Sequence, residues 1–242
     1  MLNQEIKELL TQCGVERRVM QELEECFSEY SSRFIYKMYP MPENTTNLLG
    51  RNSMHYIQMA LCRSKLLAEG VITSLNAKNV LLAMLSARAH LEVTGALAFF
   101  FRKLHNYYSN VIPYEILNEA LQRLILGSKS FELSGNAPAP VNVMTLIDAA
   151  DEYLDKKGKR DIKNFRENYN YLSEYCHPDF FGITMQSRID NTGITTYSFF
   201  NHLKEQDFKF LKSLLISLST FFFLYDSILE LLKQNEKLPE YE

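Results

Sequence analysis

The stretch that decides the fold covers residues 80–105 and reads VLLAMLSARAHLEVTGALAFFFRKLH. Apolar residues recur through it at helical spacing and cover a broad surface. They are Val80, Leu81, Met84, Leu85, Leu91, Ala96, Phe99 and Phe100. A helix with so wide an apolar surface is buried, so the stretch predicts a core helix over about 77–105. Thr94 and Gly95 would let another backbone approach this helix closely.

The segments on either side have the same periodicity and predict further helices. Those helices are expected at 3–38 with a break near Gly14, 53–69 ending at Gly70, 113–127, 142–157, 161–177 and 206–233. Helices joined by short loops bury their apolar faces against one another. The sequence therefore predicts a helix bundle.

One interruption of the helical pattern is expected near the C-terminal end. Alternating residues on both sides of Asp190-Asn191-Thr192-Gly193 predict one small β-hairpin near residues 183–199. The expected fold class is all-α, a multi-helix bundle with this hairpin. We expect a single helical domain over 1–242, in which residues 1–40 could form an N-terminal helical extension.

Composition excludes several classes of protein. The chain has 242 residues, of which 46% are hydrophobic and 23% charged, so it can bury a large core. A net charge of −3 provides no general attraction to phosphate or anionic lipid. The four cysteines, Cys13, Cys26, Cys62 and Cys176, lie far apart, which predicts reduced thiols and no metal site.

Neither a signal peptide nor a membrane span is expected. The first residues, MLNQEIKELL, lack the basic start and apolar centre of a secretory signal, so a cytoplasmic location is predicted. Residues 213–225 are uncharged, but Lys212 and Asp226 bound them, and a spanning helix needs about 20 apolar residues. We interpret this segment as part of a buried helix.

Candidate site residues lie in residues 160–182, RDIKNFRENYNYLSEYCHPDFFG. On a helix Arg166, Asn170, Ser173 and His177 form one polar stripe. Beside it lies an apolar stripe that would dock the helix against the core, formed by Phe165, Tyr169, Leu172 and Cys176. His177 could exchange a proton near neutral pH, and Arg166 could stabilise a phosphate. The alternative is structural, because His177-Pro178 ends the helix and Ser173 can hydrogen-bond locally.

A second candidate feature is the pair Arg88 and Glu92, four residues apart in the core helix. Charges in an apolar environment are rarely left unpaired. They are expected to pair with each other or with the polar stripe that ends at His177. One interpretation is a structural ion pair, and the other is a ligand-binding groove formed by Arg88, Glu92, Asn170, Ser173 and His177. His90, on a different face, is interpreted as a packing or surface residue.

Familiar catalytic signatures do not occur in the chain. There is no P-loop, no GxGxxG turn after a strand, no HExxH helix and no GxSxG elbow. No cofactor and no metal are therefore predicted. These absences do not exclude a metal-independent nuclease, which needs only a few polar side chains. The basic turn with Lys156, Lys157, Lys159, Arg160 and Lys163 could contact phosphate, although such turns are usually just solvated.

Two segments, SARAHLEVTGAL at 86–97 and YNYLSEYCHPDFFG at 169–182, resemble uncharacterised bacterial helical proteins that pair an Arg-x-x-x-Glu core helix with an LSE-x-x-HP helix end. These are in turn similar to HEPN-type domains, helical dimers of toxin, RNA-cleavage and phage-defence systems. The HEPN signature has an arginine a few residues before the histidine, whereas residues 172–176 contain none. By this resemblance His177 would be the acid or base, and Arg88 or Arg166 would steady the phosphate.

Two hypotheses follow. In the first, the chain is a non-catalytic helical component of a bacterial defence or stress system that binds a small ligand or a protein partner, such as one from the same operon. In the second, it is a metal-independent HEPN-like ribonuclease that acts on RNA. Its catalytic residues would be His177, Ser173 and one of the two arginines Arg88 and Arg166. A homodimer is expected in either case. The nuclease requires His177 and an arginine close together in an open cleft, whereas a binding protein should expose an aromatic patch away from it.

Overall fold

The computed structural model describes residues 1–41, 48–130, 137–156, 165–178, 180–197 and 208–242. In this part of the chain it is an all-α bundle with one small antiparallel hairpin, which confirms the predicted fold class. The helices are α1 (Gln4–Gln12), α2 (Arg17–Arg33), α3 (Leu49–Asn76), α4 (Val80–Tyr108), α5 (Tyr114–Leu126), α6 (Val143–Lys156), α7 (Phe165–Cys176), α8 (Phe180–Thr184) and α9 (Phe210–Asn235). The strands are β1 (Ser187–Ile189) and β2 (Thr195–Tyr197).

Helix α4 lies at the centre of the bundle and packs against α3, α6, α7 and α9. Its buried residues cover most of its circumference, from Val80 at one end to Leu104 at the other. A helix that is apolar on most sides needs neighbours on most sides, and the surrounding helices provide them. The predicted core helix is thus confirmed, with Leu85 as an exception because it is exposed.

At Gly95, helix α4 passes close to α6. A Cβ added to Gly95 would lie 2.7 Å from the carbonyl oxygen of Leu146 and 3.2 Å from the backbone nitrogen of Ile147. Only glycine leaves room for another backbone at that distance. The close approach predicted at this residue is confirmed, and its partner is the backbone of α6.

Helix α3 is longer than the sequence pattern predicts. It begins at Leu49, before Ser53, and continues through Gly70 to Asn76. A glycine inside a helix costs about 1 kcal/mol, which is small beside the packing of a long helix face. At Gly70 the helix passes close to α4, because an added Cβ would lie 3.0 Å from Ser86 Oγ. The prediction that Gly70 ends the helix was wrong.

The hairpin is shorter than expected. Ile183 belongs to the short helix α8 rather than to a strand, and the pairing extends from Ser187↔Tyr197 to Ile189↔Thr195. The Asp190 carboxylate accepts hydrogen bonds from the backbone N–H groups of Thr192 (2.8 Å) and Ile194 (3.0 Å) and so holds the turn. Some of the predicted features lie outside the described residues. They are the end of the hairpin at 198 and 199, the basic turn beyond Lys156, and the helix starts expected at 161 and 206.

The N-terminal helices pack into the bundle. Leu10 of α1 and Leu23 of α2 are fully buried in the same cluster as Leu232 of α9. The backbone after α2 also pairs with the end of the chain, where Met38 bridges Tyr241 in antiparallel fashion. The assignment of one domain remains a prediction.

Helices α4 and α9 are long and apolar enough to cross a membrane by length and composition. Core helices pass the same test, and 56% and 50% of their most apolar windows are buried inside the bundle. The cytoplasmic location therefore remains a prediction.

Candidate functional site

Helix α7 carries the predicted polar stripe, and α6 holds its first turn. The Asp151 carboxylate accepts hydrogen bonds from the backbone N–H groups of Phe165 and Arg166, which a helix start leaves unpaired. Burial raises the pKa of Asp151, and these two hydrogen bonds oppose that rise. Phe165, Tyr169 and Leu172 are buried, as expected for the stripe that docks α7.

Arg166 and His177 lie at opposite ends of α7. Eleven residues at 1.5 Å per residue place them about 16 Å apart along the helix axis, far more than one phosphate group. The Arg166 guanidinium pairs with the Asp148 carboxylate at 2.5 Å, and both side chains are about half exposed. Within one chain, Arg166 and His177 therefore cannot act on the same phosphate.

The other members of the stripe also make separate contacts. Ser173 Oγ donates a hydrogen bond to the carbonyl of Tyr169 at 2.8 Å, a local bond within the helix. The backbone N–H of His177 donates to the carbonyl of Ser173, which closes the last turn. Asn170 and His177 are exposed. The predicted stripe therefore exists as one face of a helix, and its side chains do not converge.

Arg88 and Glu92 meet a tyrosine rather than the polar stripe. Arg88 Nη2 donates to Tyr169 Oη at 2.8 Å, and that hydroxyl donates to Glu92 Oε1 at 3.2 Å. The guanidinium carbon lies 5.0 Å from the centroid of the Tyr169 ring, a cation–π contact. Arg88 Nε and Glu92 Oε1 are 3.7 Å apart, so the two charges also pair directly. We call these three residues the Arg88 cluster.

Its hydrogen-bonded and charged partners keep Arg88 ionised, whereas burial keeps the nearby Cys176 thiol neutral. Burial alone would lower the pKa of Arg88, but the hydrogen bond that Arg88 donates to Tyr169 and the charge of Glu92 outweigh burial and raise the pKa. Burial raises the pKa of the Cys176 thiol, and the nearby Arg88 only partly opposes this. Cys176 is therefore not an activated nucleophile.

Exposed apolar side chains follow directly after His177. Rings lie in contact from Tyr175 through Phe181 to Phe180, with centroids 5.9 and 5.5 Å apart. Together the exposed apolar side chains between Phe180 and Tyr197 form what we call the α8–hairpin surface. Its members are Phe180, Phe181, Ile183, Ile189, Ile194 and Tyr197, which are between 50% and 79% exposed.

A buried polar network that the sequence interpretation missed crosses the centre of the bundle. His90 is fully buried on α4, and its Nε2 lies 2.7 Å from Ser64 Oγ and its Nδ1 2.8 Å from Ser217 Oγ. Ser64 continues to Tyr30 Oη at 2.7 Å, and Ser217 to Thr94 Oγ1 at 2.9 Å. The five residues form the His90 network, which joins α2, α3, α4 and α9.

The hydrogens in the His90 network can be assigned from its ends. Among the described residues, Ser64 is the hydrogen-bond partner of the buried Tyr30 hydroxyl, so Tyr30 must donate to Ser64. Ser64 then donates to His90 Nε2, and the Nδ1 proton goes to Ser217. Thr94 Oγ1 ends the chain by donating to the carbonyl of His90 at 3.1 Å. A neutral imidazole satisfies every group, and burial correspondingly lowers the pKa of His90 to about 3.

One sequence signal could have revealed this network. Ser213, Ser217 and Thr220 recur every three or four residues among the Leu and Phe residues of α9. Polar residues at that spacing within an apolar helix imply partners in the core. His90 and Thr94, four residues apart on α4, are such partners.

No protein-family model, curated protein or solved structure matches this chain. The fold and the site together define an all-α bundle with a partly buried ionic cluster and an exposed apolar surface. Within the described ranges, His, Cys, Asp and Glu side chains form no group of three that could hold a metal ion.

Replacing Tyr169 with phenylalanine is expected to lower the free energy of unfolding by about 1 kcal/mol, since Arg88 and Glu92 lose a shared hydrogen-bond partner while water can still reach them. Urea denaturation measures this change. Tyr175→Phe is the matched control on the same helix, because it keeps the ring contacts, and we expect it to be neutral. Equal stabilities for the two variants would contradict the role given to the Tyr169 hydroxyl.

Proposed function

We propose that this chain is a non-catalytic helical protein that binds a protein partner through the α8–hairpin surface. The biological setting, a bacterial defence or stress system with a partner from the same operon, is suggested by the resemblance of SARAHLEVTGAL and YNYLSEYCHPDFFG to helical proteins of that kind. The proposal is carried by one observation, the concentration of exposed apolar side chains immediately after His177.

Exposed apolar residues that are scattered singly need no explanation, whereas a cluster of them does. Six large apolar side chains of the α8–hairpin surface are at least half exposed within 18 consecutive residues. Aromatic residues are enriched at the centres of protein interfaces, where they bury much area at low entropic cost. Protein partners typically bind through exposed rings and aliphatic side chains of this kind, whereas small ligands bind in concave pockets.

The geometry of the candidate catalytic residues supports catalysis less well. Arg88 is held by Tyr169 and Glu92, and a carboxylate beside it would repel a phosphate. Arg166 is paired with Asp148 and lies at the far end of α7. The exposed His177 is the observation that favours the second candidate function, the metal-independent ribonuclease, with an arginine supplied by another chain.

A cleavage assay on total bacterial RNA with chelator present separates the two functions. We expect no cleavage by the folded wild-type protein or by His177→Ala. The matched control is His105→Ala, which removes an exposed histidine from α4. The proposal would be overturned, and a nuclease established, if the wild type and the control both cleave RNA and His177→Ala does not.

Co-expression with a candidate partner tests the binding of a protein. The operon neighbour is co-expressed with the wild type, with the double variant Phe180→Ser and Phe181→Ser, and with the control Val111→Ser, which alters an exposed apolar residue elsewhere. We expect a stoichiometric complex with the wild type and the control, and none with the double variant. Equal complex formation by all three proteins would exclude the α8–hairpin surface as the binding site.

A further inference from the structure

The solvent face of α3 carries a seam of exposed residues. His55, Met59, Cys62 and Leu66 are exposed and are separated by four, three and four residues. Alternating steps of four and three place side chains in the narrow stripe through which one helix packs along another. The opposite face of α3 is buried in the bundle, so this seam is additional to the contacts that fold the chain.

The segment after α2 forms a wall beside the seam. Phe34 and Tyr36 pack edge to face with centroids 4.8 Å apart, and both are exposed. Gln58 on α3 fixes this wall, because it accepts a hydrogen bond from the backbone N–H of Ile35 at 3.1 Å and donates to the carbonyl of Arg33 at 3.0 Å. Seam and wall enclose a groove of about 630 Å³, which we call the α3 groove.

The dimensions of the α3 groove suit a short helix. The seam runs from His55 to Leu66, which is eleven steps of 1.5 Å along α3, about 16 Å or three helical turns. An extended strand is a poorer occupant, because the backbone N–H groups of Tyr36 and Tyr39 already bond to the carbonyls of Glu242 and Glu240. Addition of a strand needs such groups to be unpaired, whereas a helix needs only apolar pockets.

Charge indicates the chemistry of the occupant. Arg63 flanks the seam next to Cys62 and is exposed. Among the described residues, the lining of the groove includes no carboxylate. Residues that flank a helix seam select the partner through charge. Two copies of α3 related by a two-fold axis would bring their Arg63 side chains to the same interface, which disfavours a second copy of this chain. An acidic residue on a different protein would complement Arg63.

We propose that the α3 groove binds an amphipathic helix of a partner protein, whose apolar side chains fill the seam and whose carboxylate pairs with Arg63. The α3 groove and the α8–hairpin surface share no residues, so this proposal does not depend on the proposed function.

The test is a selection from a displayed library of 16-residue amphipathic helices with a fixed apolar stripe and randomised flanking positions, using the full-length chain as bait. We expect enriched peptides to carry Asp or Glu at one flanking position and to lose binding to Leu66→Asp. The affinity of these peptides for Arg63→Glu should be about tenfold lower at low ionic strength. The same variant should prefer peptides with Lys at that flanking position.

Arg17→Glu, an exposed charge reversal outside the groove, is the matched control and should leave binding unchanged. Circular dichroism and thermal melting confirm that all variants fold. Peptides that bind Leu66→Asp as well as the wild type, or that show no acidic preference, would overturn the proposal. A wild-type dimer that dissociates in Leu66→Asp during analytical ultracentrifugation would identify a second copy as the occupant and would also overturn it.

Discussion

Acidification from pH 7 to pH 4 is expected to lower the free energy of unfolding by about 3 kcal/mol through His90 alone. The pKa of His90 is about 3 in the folded chain and 6.5 in an ordinary exposed histidine. Between these values the unfolded chain binds a proton at this residue and the folded chain does not. Stability is therefore complete above pH 6.5 and falls as the pH drops towards 3.

Burial is the cause of the low pKa of His90, and the hydrogen bonds of the His90 network also disfavour a second proton on the ring. A doubly protonated imidazole would donate to both Ser64 and Ser217. Ser64 Oγ would then accept from the imidazolium, and within the network its own hydrogen or that of Tyr30 would be left without an acceptor. The ring also lies beside Phe221, at 5.9 Å between ring centroids, and no carboxylate bonds to the imidazole among the described residues.

His90→Gln provides the control, because it removes the titratable group while keeping a polar side chain. Urea denaturation of both proteins at a series of pH values gives the difference in the free energy of unfolding, in which all other ionisable groups cancel. We expect the wild type to be the more stable at pH 7 and the two proteins to converge towards pH 4. Parallel pH profiles would show that His90 is not held neutral by the fold.

Introducing a side chain at Gly95 is expected to have the other large effect. In Gly95→Ala the Cβ meets the backbone of Leu146 at 2.7 Å, a distance that no rotation of a side chain can relieve. Helices α4 and α6 must then separate, which costs about 2 kcal/mol even after the gain in helix propensity. Gly95→Leu should abolish cooperative folding, seen as the loss of a single urea transition.

Gly70→Ala is the matched control for Gly95→Ala. It also replaces a glycine inside a helix at a helix crossing, but there the nearest atom is Ser86 Oγ, the end of a side chain that can turn away. We expect Gly70→Ala to be neutral or to stabilise by up to about 1 kcal/mol. If the two variants have equal stability, the close approach at Gly95 does not limit packing.

Several features of the site could be predicted and others could not. Periodicity placed Phe165, Tyr169 and Leu172 on the docking face of α7, because an apolar stripe is a local property of the sequence. The pairing of Arg88 with Glu92 also followed from their separation of four residues. The role of the Tyr169 hydroxyl did not, because it depends on the position of one ring relative to a different helix.

The sequence by itself determined that this chain forms helices, where several of them begin or end, that residues 80–105 form the core helix, and that one hairpin interrupts the helices. These properties depend on spacing along the chain and on apolar content, which neighbouring residues specify. The tertiary structure alone decided which polar side chains meet. A histidine interpreted as packing or surface became the centre of the His90 network, since hydrogen bonds between helices depend on how far each helix is rotated and how closely it packs.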